Sequence, residues 1–162
     1  ATKLSIISYF IILRIVIQSS FGGFMQKIFV DVDDTLVLWP NNPTDELEIN
    51  WKLVDTLTAG LLNRRYDITV WSGTGSAWAK YWGELLFPIF DLPYGSKEEL
   101  WKNIPDFTLA IDDRIQEQRE YLKNFERVFL PDEFVKHSIT VNLLAQVAIL
   151  GDSGNESTTT IN

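Results

Sequence analysis

The chain contains no cysteine and one histidine, His137. A disulfide scaffold, a thiolate zinc site and a cysteine nucleophile are therefore excluded, and Ser-His or multi-histidine mechanisms lack their parts. Basic residues are scarce beside acidic ones: 14 Lys and Arg against 22 Asp and Glu in 162 residues, a formal net charge of −8. That deficit argues against sequence-independent nucleic-acid binding, which depends on cations neutralising phosphates. Apolar residues are plentiful. They make up 46% of the chain, with 13% aromatic, which suits one domain with a real core and not a disordered chain. Any chemistry here falls to carboxylates.

The two ends differ from the middle. Residues 1–24 hold two charges, Lys3 and Arg14, and no acid. The run from Leu4 to Ile17 is nearly all apolar, but it is shorter than the ~20 residues needed to span a bilayer, and Arg14 breaks it. It is similar to a signal-peptide core, with Ser19, Ser20, Gly22 and Gly23 behind it but no small-x-small cleavage site. Met25, the sole methionine, stands two residues before the first clear strand. The fold is expected to begin there, with 1–24 an apolar leader outside it. A cytoplasmic location is expected, or a secreted or membrane-associated one should the leader be a genuine anchor. Residues 25–150 read as one domain, and 151–162 (GDSGNESTTTIN) as a disordered tail.

Between these ends, strand and helix patterns alternate. Lys27–Val32 is an unbroken β-prone run of the kind buried on both faces of a parallel sheet. A loop is expected at Trp39–Pro43. Thr44 or Asp45 then caps a helix that carries Leu47, Trp51, Val54, Leu57, Leu61 and Leu62. Asp67–Trp71 is the second strand, ending in Ser72-Gly73-Thr74-Gly75, and Trp78, Tyr81, Trp82, Leu85 and Leu86 mark the next helix. A third strand is expected at Pro88–Leu92, a short helix at Glu98–Lys102 and a fourth strand at Phe107–Ile111. Gln116–Lys123 reads as helix, Arg127–Leu130 as a fifth strand and Ser138–Leu150 as a closing helix. The alternation implies βαβ units: a three-layer α/β, Rossmann-like fold with a five-stranded, mainly parallel sheet.

Each strongly polar cluster falls at the C-terminal end of an expected strand. Asp31, Asp33 and Asp34 close the first, Ser72 to Gly75 follow the second, and Asp112 and Asp113 follow the fourth. Ligands bind at this edge of open parallel sheets. If the first and fourth strands are neighbours, five carboxylates converge there, and like charges so close oppose joint ionisation. A hard divalent cation relieves that repulsion, and Mg²⁺ suits carboxylate oxygens. With hydroxyl and backbone donors at Ser72, Gly73 and Thr74 and a nearby lysine, the parts match phosphoryl transfer. An EF-hand reading fails, because positions six and twelve counted from Asp31 are Leu36 and Asn42, not Gly and Glu.

The motif Asp31-Val32-Asp33-Asp34-Thr35-Leu36 after an apolar strand resembles the first signature of the haloacid dehalogenase-like (HAD) phosphohydrolases. Val70-Trp71-Ser72-Gly73 resembles the second, and Leu109-Ala110-Ile111-Asp112-Asp113-Arg114 the fourth. The third, a lysine, is Lys97, with Lys102 as runner-up. The resemblance implies a HAD fold over roughly 27–130, with Asp31 as nucleophile and Asp33 as general acid/base. It also implies phosphate binding by Ser72, Gly73 and Lys97, and Mg²⁺ held by Asp31, Asp33 (through its backbone carbonyl), Asp112 and Asp113. The Asp-Asp-Arg of the fourth motif resembles the 3′-phosphatase domain of polynucleotide kinases, although Thr74 stands where that domain usually has arginine.

The spacings leave no room for a large cap domain: 41 residues separate Asp31 from Ser72, and 25 separate Ser72 from Lys97. A capless, open site suits a phosphorylated small molecule or an exposed phosphate on a larger one, with Trp39–Pro43 as a small flap and Trp39 a substrate-contact candidate. The expected activity is Mg²⁺-dependent hydrolysis of a phosphate monoester through an aspartyl-phosphate. The alternatives are a catalytically silent HAD-like domain that binds a phosphorylated partner, and a receiver-like phospho-acceptor domain.

Overall fold

The computed structural model describes residues 25–155, with side chains as far as residue 151. The leader expected at 1–24 and the last seven residues of the expected tail lie outside the described residues. The chain divides into two compact units, of which residues 25–135 form one and hold the whole sheet. The described part of the other begins at Lys136.

The first unit opens with strand β1 (Gln26–Asp31), then two short strands, β2 (Val37–Leu38) and β3 (Glu48–Ile49). Helix α1 (Trp51–Leu62), β4 (Tyr66–Ser72) and α2 (Ser76–Leu86) follow. Next come β5 (Tyr94–Ser96), α3 (Lys97–Leu100) with a 3-10 turn at Trp101–Asn103, and β6 (Leu109–Ile111). The chain continues through α4 (Arg119–Leu122) and β7 (Arg127–Phe129) to α5 (Pro131–Asn155), which runs on into the second unit. By length and composition alone, Pro131–Gly151 could cross a membrane, a test that core helices of soluble proteins also pass.

Five strands form one sheet in the order β5-β4-β1-β6-β7, and every pairing is parallel. In chain order that is 3-2-1-4-5. A receiver-like sheet runs 2-1-3-4-5, so the topology removes that alternative. Alternate residues of each strand face opposite layers, as the pleat requires. Ile28, Val30, Ile68, Val70, Leu109 and Ile111 share one core with Leu53 and Leu57 of α1, Trp82 and Leu86 of α2, and Phe134. Phe29, Trp71 and Ala110 face the other way, onto Leu122 and Phe125. Two cores on two faces make three layers.

Several elements differ from the sequence reading, among them the helix expected at Gln116–Lys123, which is a single turn at Arg119–Leu122. Neither Thr44 nor Asp45 caps the first helix; Asn50 does, its side chain accepting a hydrogen bond from the Leu53 amide. The residues before it form an antiparallel ribbon, β2 with β3, because Asn50 N–H also donates to the Leu36 carbonyl and ties the chain back to the first turn. Pro88–Leu92 is not a strand. Pro93 passes its carbonyl to the Val70 amide, and pairing with β4 starts only at Tyr94. The closing helix begins at Pro131 rather than Ser138 and extends past Leu150 to Asn155.

Candidate metal and phosphate site

Register places the acids. β1 pairs with β6 at Val30–Ile111, so one further step along both strands brings Asp31 beside Asp112. On the other side, Asp31 pairs with Trp71, and Ser72 of β4 pairs with Ser96 of β5, the residue before Lys97. The connections after β1 run first toward β5 and then return to β6, so the topological switch lies between β1 and β6. Ligands bind outside the strand ends at such a switch.

The turn after β1 is wound tightly. The Val32 carbonyl accepts from the amides of Thr35, Leu36 and Val37, and Asp34 takes a left-handed backbone (φ 56°). Aspartate tolerates that region better than bulkier residues do. The winding returns Thr35 over the strand end. Its hydroxyl lies 3.1 Å from Asp31 Oδ2 and 3.3 Å from Asp113 Oδ1, between two carboxylates some eighty residues apart.

Lys97 closes the cluster. Its Nζ lies 2.9 Å from Asp31 Oδ1 and 2.6 Å from Asp112 Oδ2, and it also donates to Gln118 Oε1 at 3.4 Å. All three charged groups are buried. Asp112 also accepts from the Arg114 amide at 2.9 Å. The exposed Arg114 guanidinium stands 3.7 Å from Asp34 and 3.8 Å from Asp113, too long and too solvated to count for much.

Burial pushes Asp31 up to about 7; Lys97 opposes this, and the charges of Asp112 and Asp113 add to it. Asp113 is likewise raised, by burial and then by Asp112. Burial pulls Lys97 down, but Asp31 and Asp112 outweigh it and leave the ammonium above its ordinary value. Lys97 therefore stays charged.

Oxygen atoms of Asp31, Asp112 and Asp113 all lie within 4.8 Å of one another, close enough to share a metal ion. Fully ionised, these three carboxylates exceed the single buried ammonium by two negative charges. An all-oxygen donor set with that excess fits a hard divalent cation such as Mg²⁺.

The remaining expected residues lie around this centre. Ser72 is fully buried, and its Oγ accepts the Thr74 amide at 3.0 Å, which leaves the hydroxyl proton to donate elsewhere. Gly73 is exposed. Lys102 is outside the cluster, its Nζ resting 5.1 Å from the Trp101 ring centre, so Lys97 alone of the two lysines joins the acids. The Asp33 carboxylate is not among the three that converge. It is held by Trp39 Nε1–H at 2.8 Å, by Trp78 Nε1–H at 3.2 Å from both oxygens, and by the Thr74 hydroxyl at 3.4 Å.

Sequence reasoning missed Thr35, Gln118 and the role of Trp78. Thr35 lies inside the first motif and was readable there as a hydroxyl beside two acids. Nothing local marks Gln118, and Trp78 reads as an ordinary core position of its helix.

No family model, no curated protein and no solved structure matches this chain. What stands is a five-stranded parallel α/β fold with a buried acidic cluster that could bind a metal.

Proposed function

We propose that this chain is a HAD-like, Mg²⁺-dependent phosphomonoesterase that works through an aspartyl-phosphate at Asp31. One observation carries the reading: a buried carboxylate at the switch-point end of the central strand, clamped by Lys97 and flanked by two further acids from the neighbouring strand end. Asp31, Asp112 and Asp113 would hold Mg²⁺, which would supply positive charge against the phosphate oxygens and keep Asp31 ionised. The rest is done by the chain itself.

An oxygen of Asp31 attacks phosphorus in line with the ester bond, and the P–O bond to the leaving alcohol breaks. Asp33, on the same turn, gives the departing oxygen the proton that it regains from water in the second step. The Ser72 hydroxyl donates a hydrogen bond to a phosphate oxygen, and Lys97 offsets negative charge around the transferred group. In the second step Asp33 takes a proton from water. The hydroxide attacks phosphorus, and the bond to Asp31 breaks, releasing inorganic phosphate and restoring the carboxylate.

The test is hydrolysis of p-nitrophenyl phosphate by the purified chain. Turnover that requires Mg²⁺, stops with chelator and is lost in Asp31→Asn supports the reading. A chain that hydrolyses no phosphomonoester in a broad panel, or an Asp31→Asn variant with unchanged turnover, overturns it.

A further inference from the structure

Asp33 meets an aromatic surface that phosphoryl transfer itself does not need. Both its indole partners turn their N–H edges onto the carboxylate. Their ring planes are parallel to within 11°, with centroids 6.4 Å apart. Trp78 repeats the arrangement with Tyr81 one helical turn on, at 6.2 Å and 18°. Parallel rings at such separations are offset rather than eclipsed, so each leaves part of its face uncovered. Trp78 is anchored from below by an edge contact to the buried Trp82 at 5.9 Å. The outer two rings are open: Trp39 is 46% exposed and Tyr81 57%. Large exposed aromatics in a row beside a candidate catalytic carboxylate are an expensive use of surface unless a ligand covers them.

We infer that the Trp39–Trp78–Tyr81 wall binds the flat base of a nucleoside monophosphate whose phosphate sits at Asp31. The inference rests on the phosphatase reading, because Asp33, which would protonate the leaving oxygen, is the point where the wall begins. A leaving alcohol protonated by Asp33 departs beside the indoles that hold that carboxylate. Stacking on tryptophan tolerates any base because every base has a π-face. A single nucleotide suits the chain better than a polynucleotide, since a net charge of −8 repels a polyanion.

The matched probes are adenosine 5′-monophosphate and ribose 5-phosphate, which differ at the anomeric carbon, where the base replaces a hydroxyl. With Mg²⁺ and the non-hydrolysing Asp31→Asn variant, calorimetric titration is expected to give at least about tenfold tighter binding of the nucleotide, in keeping with stacking on one or two rings. Trp39→Leu in the same background is expected to bring the two affinities to within about threefold of each other. Equal affinities in the first titration, including no binding of either, overturn the inference. A preference that survives both Trp39→Leu and Tyr81→Ala overturns the assignment to the wall. Should Asp31→Asn not fold, adenosine against ribose on the unaltered chain gives the same comparison, with the same outcomes. The two readings fail separately. Absence of hydrolysis across a phosphomonoester panel removes the phosphatase, whereas equal affinity for the two probes removes only the wall.

Discussion

Lys97 Nζ stands 2.6 Å from Asp112 and 2.9 Å from Asp31, so one buried ammonium spans the ends of two adjacent strands. Removing it leaves two buried carboxylates without their partner. Breaking a buried ion pair in this way costs about 3–5 kcal/mol. Lys97→Met is therefore expected to lose that much stability in urea unfolding without metal. Added Mg²⁺ should recover part of the loss, because the cation takes over neutralisation of the acids. A Lys97→Met chain as stable as the parent without metal would show that the acids do not depend on the lysine.

The raised pKa of Asp31 has a definite sign in stability. A carboxyl that titrates near 7 when folded and near 3.8 when unfolded holds its proton better in the folded state. Its stabilising contribution is full below the unfolded value and is lost as pH rises through about 7. Asp113, also raised, acts in the same direction. Lys97, raised as well, loses its contribution only in the alkaline range. The melting temperature of the metal-free protein is expected to fall between pH 5 and pH 8 and to fall less with saturating Mg²⁺, which binds the ionised form. Asp31→Asn should flatten the metal-free profile; an unchanged slope would assign it to other groups.

Thr35 bridges Asp31 and Asp113 through one hydroxyl. Thr35→Val keeps the shape and removes that bridge. Groups that orient metal ligands in this way typically matter by about 10–100-fold in affinity. The expected result is Mg²⁺ or Mn²⁺ binding weakened by at least about tenfold with secondary structure intact by circular dichroism. Unchanged affinity would leave Thr35 a role in the turn only.

Gly83 of α2 packs directly on the Tyr94 ring, where a Cβ would overlap it. Tyr94 opens the edge strand that leads into Lys97. Gly83→Ala is expected to destabilise the fold by about 1–3 kcal/mol through overpacking and to reduce turnover as β5 shifts. Denaturant midpoints and p-nitrophenyl phosphate kinetics measure both.

Short, unbroken β-prone runs made β1, β4 and β6 legible in the sequence, since Ile28, Val30, Val70 and Ile111 need no partner information to read as buried strand. The acids at their ends were legible for the same reason, because a strand that stops on Asp-x-Asp-Asp or Asp-Asp announces its C-terminal edge. Tertiary competition hid the rest. Leu47 fits a helical face, yet the Asn50 cap and the ribbon pairing of Val37 with Ile49 hold the chain before Trp51 out of the helix. Pro88–Leu92 is apolar enough for a strand, but Phe87 and Leu92 are buried as anchors of a bent connection, and the true edge strand is the less apolar Tyr94-Gly95-Ser96. Which lysine joins the acids was a matter of packing. Lys97 follows directly on the β5 pairing, whereas Lys102 lies a helical turn away over Trp101.

The most direct test of the Asp31 site is ¹⁹F NMR with fluoroberyllate, which mimics a phosphoryl group on an aspartate. Bound fluoride resonances are expected only with Mg²⁺ present, and none in Asp31→Asn. A wild-type chain with no bound signal, or an Asp31→Asn chain with the same signal, would contradict an aspartyl-phosphate at Asp31.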